Sequence, residues 1–211
     1  ERSECSVYSL LHNVQFRLGK GNCKRNILEM RLIVLIGAVF LFGNVQAQKK
    51  KDQKPLDLTN VVIIGQMDDP SDRYSVEINM TELFSTNGLK SKASLNLMKQ
   101  GADSEILASD SLKTVLEAQG YDTYLLITVR GYDKRFKMSD ANDDFKTSLG
   151  RGNLFSIYQE GVVSVSFEFK FFRNGELVRD EVIKCGNAGS REKVLSKLRK
   201  KVRKRLVKDW K

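Results

Sequence analysis

Three aspartates, Asp68, Asp69 and Asp72, form the cluster of side chains whose type and spacing could support chemistry. They follow directly after an apolar run at residues 61–66. Grouped carboxylates bind hard cations and can act as acids or bases in hydrolysis. The cluster therefore supports one candidate function, a carboxylate-dependent hydrolase or a cation-binding protein. Nucleotide binding at this loop is disfavoured, because phosphate loops rely on glycine and this loop has acids and no glycine.

A structural role for the same aspartates is the stronger prediction. Asp is a favoured helix N-cap, and Pro70 is a favoured residue at a helix start. We expect these acids to cap the first helix. No catalytic residue, metal site or cofactor is predicted, so we expect a protein that is not an enzyme.

Residues 30–47 have the composition of an export signal. Met30 and Arg31 give a basic start, residues 32–42 are apolar, and small residues precede a predicted cleavage between Ala47 and Gln48. The apolar run is shorter than the ~20 residues that a membrane-spanning helix needs. We therefore expect a signal that is removed, no transmembrane segment in the mature chain, and a periplasmic location, with secretion as the alternative.

Residues 1–29, which precede this signal, are interpreted as an untranslated upstream extension that results from a start site placed too early, and they are left out of the predicted fold. The alternative is a cytoplasmic extension ahead of a signal anchor. Removal of residues 1–47 would leave no histidine, since His12 is the only one in the chain, and would leave one cysteine, Cys185. Nucleophile–histidine pairs and the usual zinc sites are then excluded. We expect Cys185 to be a half-buried free thiol.

The positive charge is concentrated at the two ends of the expected mature chain. Residues 191–211 contain eleven Lys or Arg and two acids, a net charge of +9, and residues 48–54 carry +3. Of the formal net charge of +10, residues 55–190 carry −5. We interpret residues 48–59 as a basic, flexible tail and residues 60–211 as a single domain with an acidic body.

The C-terminal basic segment, residues 190–210, is predicted to be an amphipathic helix. Its apolar residues recur every four positions, at Val194, Leu198, Val202, Leu206 and Trp210. Ser190 is suited to cap its start.

Two interpretations of this helix remain open: the helix packs on the sheet with solvated cations, or its basic face contacts anionic lipid or an acidic envelope protein. The candidate contact residues are Arg199, Lys200, Lys201, Arg203, Lys204 and Arg205. Nucleic acid is not expected as a partner, because export separates the chain from it.

The remaining elements indicate an α/β domain with one mixed sheet. We expect strands at 61–66, around 93–97 and at 123–129, with helices at 73–86 and 110–119 as crossovers that make these strands parallel. Residues 137–158 are expected to be an irregular loop. Residues 162–172 and 177–184 flank Asn174-Gly175, a strong hairpin signal, so they should extend the sheet antiparallel.

This pattern resembles the small α/β domain of envelope proteins such as the N-terminal domain of TolB and the related domain of CsgG-like secretion proteins. The similarity is carried by the strand at 61–64, the acidic turn at 68–72, the helix ending at Asn87-Gly88, the segment 117–127 and the hairpin after 163–171. It covers about residues 60 to 210 and includes no catalytic motif. It implies an envelope-associated protein with a binding or scaffolding role.

Overall fold

A mixed β-sheet forms the centre of the computed structural model. Its strands run in the order β2-β1-β3-β5-β6, with the short β4 paired to β3. Strands β1, β2 and β3 are parallel, β5 is antiparallel to β3, and β6 is antiparallel to β5. The strands are β1 (Asn60–Gln66), β2 (Lys90–Ala93), β3 (Thr123–Tyr132), β4 (Arg135–Phe136), β5 (Ser164–Arg173) and β6 (Glu176–Gly186). The predicted fold class is confirmed.

The structure describes residues 55–98, 104–133, 135–136, 143–151 and 155–211. The predicted upstream segment 1–29, the predicted signal 30–47 with its cleavage site at Ala47 and Gln48, and residues 48–54 lie outside the described residues.

Helices cover both faces of the sheet. Helices α1 and α4 contribute to one apolar core, which includes Ile127 and Phe169 of the sheet, whereas α2 and α3 contribute to a second core on the opposite face. The helices are α1 (Pro70–Thr86), α2 (Asp110–Ala118), α3 (Phe145–Gly150) and α4 (Arg191–Arg205), and α4 continues as a π-helical turn, Leu206–Trp210. Two 3₁₀ helices lie at Ser94–Asn96 and Ser104–Ala108.

The hairpin between β5 and β6 turns where the sequence predicted it. Asn174 and Gly175 have φ angles of 53° and 84°. Two consecutive positive φ values are those of a type I′ turn, whose twist matches that of the flanking strands.

Part of the predicted flexible tail is packed into the domain. Leu56 and Leu58 are buried, and their backbone N–H groups donate to the carbonyl oxygens of Asp209 and Trp210 at 3.1 and 2.8 Å. The prediction of a flexible tail over 48–59 is therefore wrong for these residues, because their leucines complete the core beside the last helical turn.

The first helix has a different buried face from the predicted one. The sequence of segment 73–86 predicts that Tyr74, Ile78, Leu83 and Phe84 share one inward face. In the structure, Tyr74 and Ile78 are exposed. The acids Asp72 and Glu77 are buried instead. Hydrophobic spacing could not identify this face, because its polar members are buried through hydrogen bonds.

Other boundaries also differ from the predictions. The second strand ends at Ala93, and the residues after it form a 3₁₀ helix. The spacing in segment 110–119 predicts Leu112, Val115 and Leu116 inward, but Val115 is exposed. Val163, part of the predicted strand 162–172, lies outside β5 and is exposed. The segment predicted as an irregular loop contains α3, whose N-cap Asp144 accepts a hydrogen bond from the backbone N–H of Thr147 at 2.7 Å.

Candidate functional site

The aspartates of the first loop have different structural roles. Asp69 is the N-cap of α1, and its carboxylate accepts a hydrogen bond from the backbone N–H of Ser71 at 2.7 Å. This hydrogen bond holds the pKa of Asp69 below its ordinary value. Asp68 is exposed beside it. The prediction of a helix cap is confirmed for Asp69.

Asp72 is buried and joins three parts of the chain. One carboxylate oxygen accepts from the backbone N–H of Ile157 at 2.9 Å, and the other lies 2.8 Å from the guanidinium of Arg191 at the start of α4. Arg191 also donates to the hydroxyls of Ser71 and Ser75. Asp72 therefore connects α4 to α1. Because its carboxylate is already paired with Arg191, it is less available for hydrolysis or for binding a cation. Within the described ranges, no group of three or more His, Cys, Asp or Glu side chains could hold a metal ion.

Glu77 is a second buried carboxylate with a structural role. It accepts hydrogen bonds from the backbone N–H of Gly65 at 2.9 Å and of Leu95 at 2.9 Å, and from the Ser94 hydroxyl at 2.7 Å. Arg73 lies 3.0 Å from the same carboxylate. Such a network satisfies the carboxylate that burial has removed from water. Glu77 therefore joins α1 to the ends of β1 and β2.

The apolar stripe of the basic helix packs on the sheet, as the sequence predicted. Val194, Leu198 and Val202 are buried in the same core as the inward side chains of β5. Trp210 is fully buried, and its ring centroid lies 4.9 Å from that of Phe171. Ser190 caps the helix by accepting from the backbone N–H of Lys193 at 3.3 Å.

Three of the six candidate contact residues are held by other parts of the domain. Arg199 forms two hydrogen bonds of 2.8 Å with the Glu82 carboxylate on α1, which lowers the pKa of Glu82. Arg205 lies 3.0 Å from Asp209 and 3.6 Å from Glu181. Lys201 donates to the carbonyl oxygen of Lys184 on β6. These cations are partly neutralised or fixed in place.

The other three candidates, Lys200, Arg203 and Lys204, differ from this group. Lys200, Arg203 and Lys204 are exposed. Within the described residues they form no hydrogen bond or ion pair through their side chains. Their charge is available to a partner.

A cationic groove separates α4 from the edge strand β6. Its volume is about 310 Å³. The described lining residues are Val182, Ile183, Lys184, Lys201, Lys204, Arg205 and Lys208, so they include five cations and no acid. We call this feature the α4–β6 groove.

Lys184 and Lys208 were missed among the predicted contact residues. The position of Lys208, four residues after Lys204, could have indicated it, whereas no sequence signal placed Lys184 beside the helix.

Comparison with known proteins finds similarity only at the level of structure. No protein-family profile matches the chain, and no curated protein matches it. Among solved structures, lipoprotein GNA1162 from Neisseria meningitidis is 13% identical, with a TM-score of 0.40 over 71% of this chain and 97% of that one. A PelC dodecamer from Paraburkholderia phytofirmans is 10% identical, with a TM-score of 0.38 over 70% of this chain and 88% of that one. Identities and scores this low carry no functional argument.

Cys185 follows the groove residue Lys184 in the chain but is not part of the groove lining. It is fully buried rather than half-buried as predicted, because it faces the core shared with α4. Burial raises the pKa of its thiol to about 11, although the charges of Lys201 and Lys197 oppose the shift. A thiol this hard to ionise is a poor nucleophile.

In the part of the chain that the structure describes, no helix is long and apolar enough to cross a membrane.

Proposed function

We propose that this is an exported, periplasmic protein that acts at the bacterial envelope by binding and not by catalysis, with the basic face of α4 as its contact surface. The observation that carries the proposal is the exposure of Lys200, Arg203 and Lys204 without an acidic partner in the described chain. A packed helix needs its apolar stripe, but it does not need three unpaired cations on its outer face.

Export and an envelope role are supported by the sequence. Residues 30–47 have the three parts of a secretory signal. The resemblance to the small domain of TolB and CsgG-like proteins implies an envelope-associated role. Secretion to the medium is the alternative location.

A binding role without catalysis is supported by how the carboxylates of α1 and of the loop before it are used. Asp69 caps a helix, Asp72 is paired with Arg191, and Glu77 accepts several hydrogen bonds. Two of the three candidate acids of the first loop, Asp69 and Asp72, therefore already have structural partners. The carboxylate-dependent hydrolase gains no observation in its favour.

An anionic membrane surface is the partner that fits an unpaired basic helix face. Clustered Lys and Arg near such a surface each contribute about 1 kcal/mol of attraction, which decays within a Debye length of about 10 Å at 0.1 M salt. Three cations predict a binding constant about 100-fold higher than that of a chain without them.

The test is co-sedimentation of the purified protein with vesicles that contain anionic phospholipid, at low and physiological salt. The test variant is Lys200→Gln/Arg203→Gln/Lys204→Gln, which leaves the Arg199–Glu82 pair intact. The matched control, Lys90→Gln/Lys113→Gln/Lys146→Gln, removes the same charge outside α4.

We expect strong binding by the unmodified protein at low salt, weaker binding at physiological salt, and near-complete loss in the α4 variant only. Equal binding by the α4 variant and the control would show that net charge and not this helix face is responsible. Absence of binding by the unmodified protein at low salt would refute the membrane contact.

A further inference from the structure

The geometry points to the α4–β6 groove as a binding site for the phosphate of an anionic lipid headgroup. This inference rests on the proposed function, because it assumes that the basic side of α4 meets a membrane. It adds a defined site and a ligand chemistry. The groove combines cations of two elements, and it shares only Lys204 with the three cations that carry the proposed function.

The charge of the groove comes from two elements that face each other. Lys201, Lys204, Arg205 and Lys208 are spaced by three and four residues, so they share one side of the helix, and Lys184 comes from β6. No acid is among the described lining residues. A phosphomonoester carries a charge of about −1.5 to −2 and three acceptor oxygens, so it can use several cations at once. A single carboxylate has one charge and two oxygens, so it would match fewer of these cations.

Two of the groove cations are held in place before any ligand arrives. The ammonium of Lys201 donates to the Lys184 carbonyl oxygen, and the guanidinium of Arg205 lies 3.0 Å from Asp209. An ammonium that donates one hydrogen bond to the protein keeps two further N–H groups for a ligand. Fixing these side chains in advance lowers the entropy cost of binding.

The edge of β6 is unsuited to a peptide strand, which is the main alternative occupant. Lys201 donates to the carbonyl of Lys184, and Lys197 donates to that of Gly186 at 2.7 Å. An added strand would need these outward carbonyls for its own hydrogen bonds. The groove therefore favours a compact anion over an acidic peptide in extended form.

The groove also offers apolar surface, which distinguishes a lipid from a free phosphate. Val182 is 40% exposed and lines the groove together with Ile183. An exposed valine among cations suits a headgroup whose glycerol and first methylene groups follow the phosphate.

The experiment compares two kinds of vesicle matched in zeta potential. One contains phosphatidic acid, whose headgroup is a phosphomonoester, and the other contains phosphatidylglycerol, whose phosphate is a diester. The groove variant is Lys204→Gln/Lys208→Gln. The matched control is Lys200→Gln/Arg203→Gln, which removes the same charge from the same helix outside the groove lining. All four changed residues are exposed, and Gln is a good helix former, so folding should be preserved.

We expect the unmodified protein to bind phosphatidic acid vesicles about tenfold tighter than phosphatidylglycerol vesicles. The groove variant should lose this preference, and its binding to phosphatidic acid should fall about 25-fold, at about fivefold per cation. The control should weaken binding to both vesicles by a similar factor and keep the preference.

Three results would overturn the inference. A groove variant that keeps the preference, or an unmodified protein that binds both vesicles equally, refutes the phosphate site but leaves the proposed membrane contact standing. Binding to neither vesicle refutes both. Titration with glycerol 3-phosphate and with poly-glutamate completes the test: saturation by either soluble probe without vesicle preference would assign the groove to a soluble phosphate or to an acidic chain.

Discussion

Replacement of Trp210 by alanine tests whether the basic helix is an integral part of the domain. The Trp210 side chain is fully buried, and its ring lies 4.9, 5.6 and 6.2 Å from the rings of Phe171, Phe169 and Phe84. Its indole N–H donates to Glu181 at 3.1 Å. A buried aromatic side chain removes about 150–250 Å² from water, which at about 25 cal/mol/Å² corresponds to about 4–6 kcal/mol. Measured truncations of this kind cost about 3–5 kcal/mol, so we expect a loss in that range.

The measurement is urea unfolding followed by far-ultraviolet circular dichroism, because Trp210 is the only tryptophan and its loss removes the fluorescence signal. Val207→Ala is the control: it shortens a side chain that is 69% exposed on the same turn and should change the free energy of unfolding by less than about 0.5 kcal/mol. Trp210→Phe should lie between the two, since it keeps a buried ring and loses the hydrogen bond. Equal stability of Trp210→Ala and Val207→Ala would refute the packing of this turn.

Three further predictions concern ionisable groups that are fully or partly buried. Burial and the Glu168 carboxylate raise the pKa of Asp180 to about 6, so the folded state holds its proton more tightly than the unfolded state, where the pKa is about 3.9. The free energy of unfolding should therefore fall by about 1–3 kcal/mol as the pH rises from about 4 to about 6. In parallel urea titrations, the Asp180→Asn variant should lack this pH dependence. The same pH dependence in both proteins would contradict the prediction. Cys185, with a pKa of about 11, should resist iodoacetamide at pH 7.5 in the folded protein and react with it in urea. The mass of the peptide that contains Cys185 reports the reaction. Rapid labelling of the folded protein would show that the thiol is accessible. Arg191→Ala leaves the buried Asp72 without its cation and should cost about 2–3 kcal/mol by thermal or urea unfolding, less than for a fully buried pair because Arg191 is partly exposed.

Elements governed by local signals were predicted well. The hairpin turn depends on Asn174-Gly175, the cap of the first helix on Asp69, and the inward stripe of α4 on a four-residue repeat. Each of these signals lies within a few neighbouring residues, so the sequence carries it without knowledge of the rest of the fold.

Features that depend on distant partners were not predictable. Burial of Glu77 requires donors from Gly65 and Leu95, and burial of Asp72 requires Arg191 from the other end of the domain. A prediction from hydrophobic spacing assigns acids to the surface. For the first helix, it therefore assigned the face with Tyr74 to the core, although Tyr74 is exposed.

Contacts between distant residues also decided which cations of the candidate site are available. Sequence reasoning identified the basic helix but treated its cations as equivalent. The structure separates Arg199, which is paired with Glu82, from the exposed Lys204. It also adds Lys184 from β6, which is close to α4 only because the sheet brings it there.

The pairing of Leu56 and Leu58 with the turn at Asp209 and Trp210 has a consequence for biosynthesis. The ribosome makes the chain from its N-terminus, so Leu56 and Leu58 emerge long before their partners. Until Trp210 has been added, the core lacks one of its largest side chains. Domains fold as units, so the nascent domain should remain open throughout elongation. Late completion of the core would keep the chain unfolded during synthesis, which is the state that the proposed export would use.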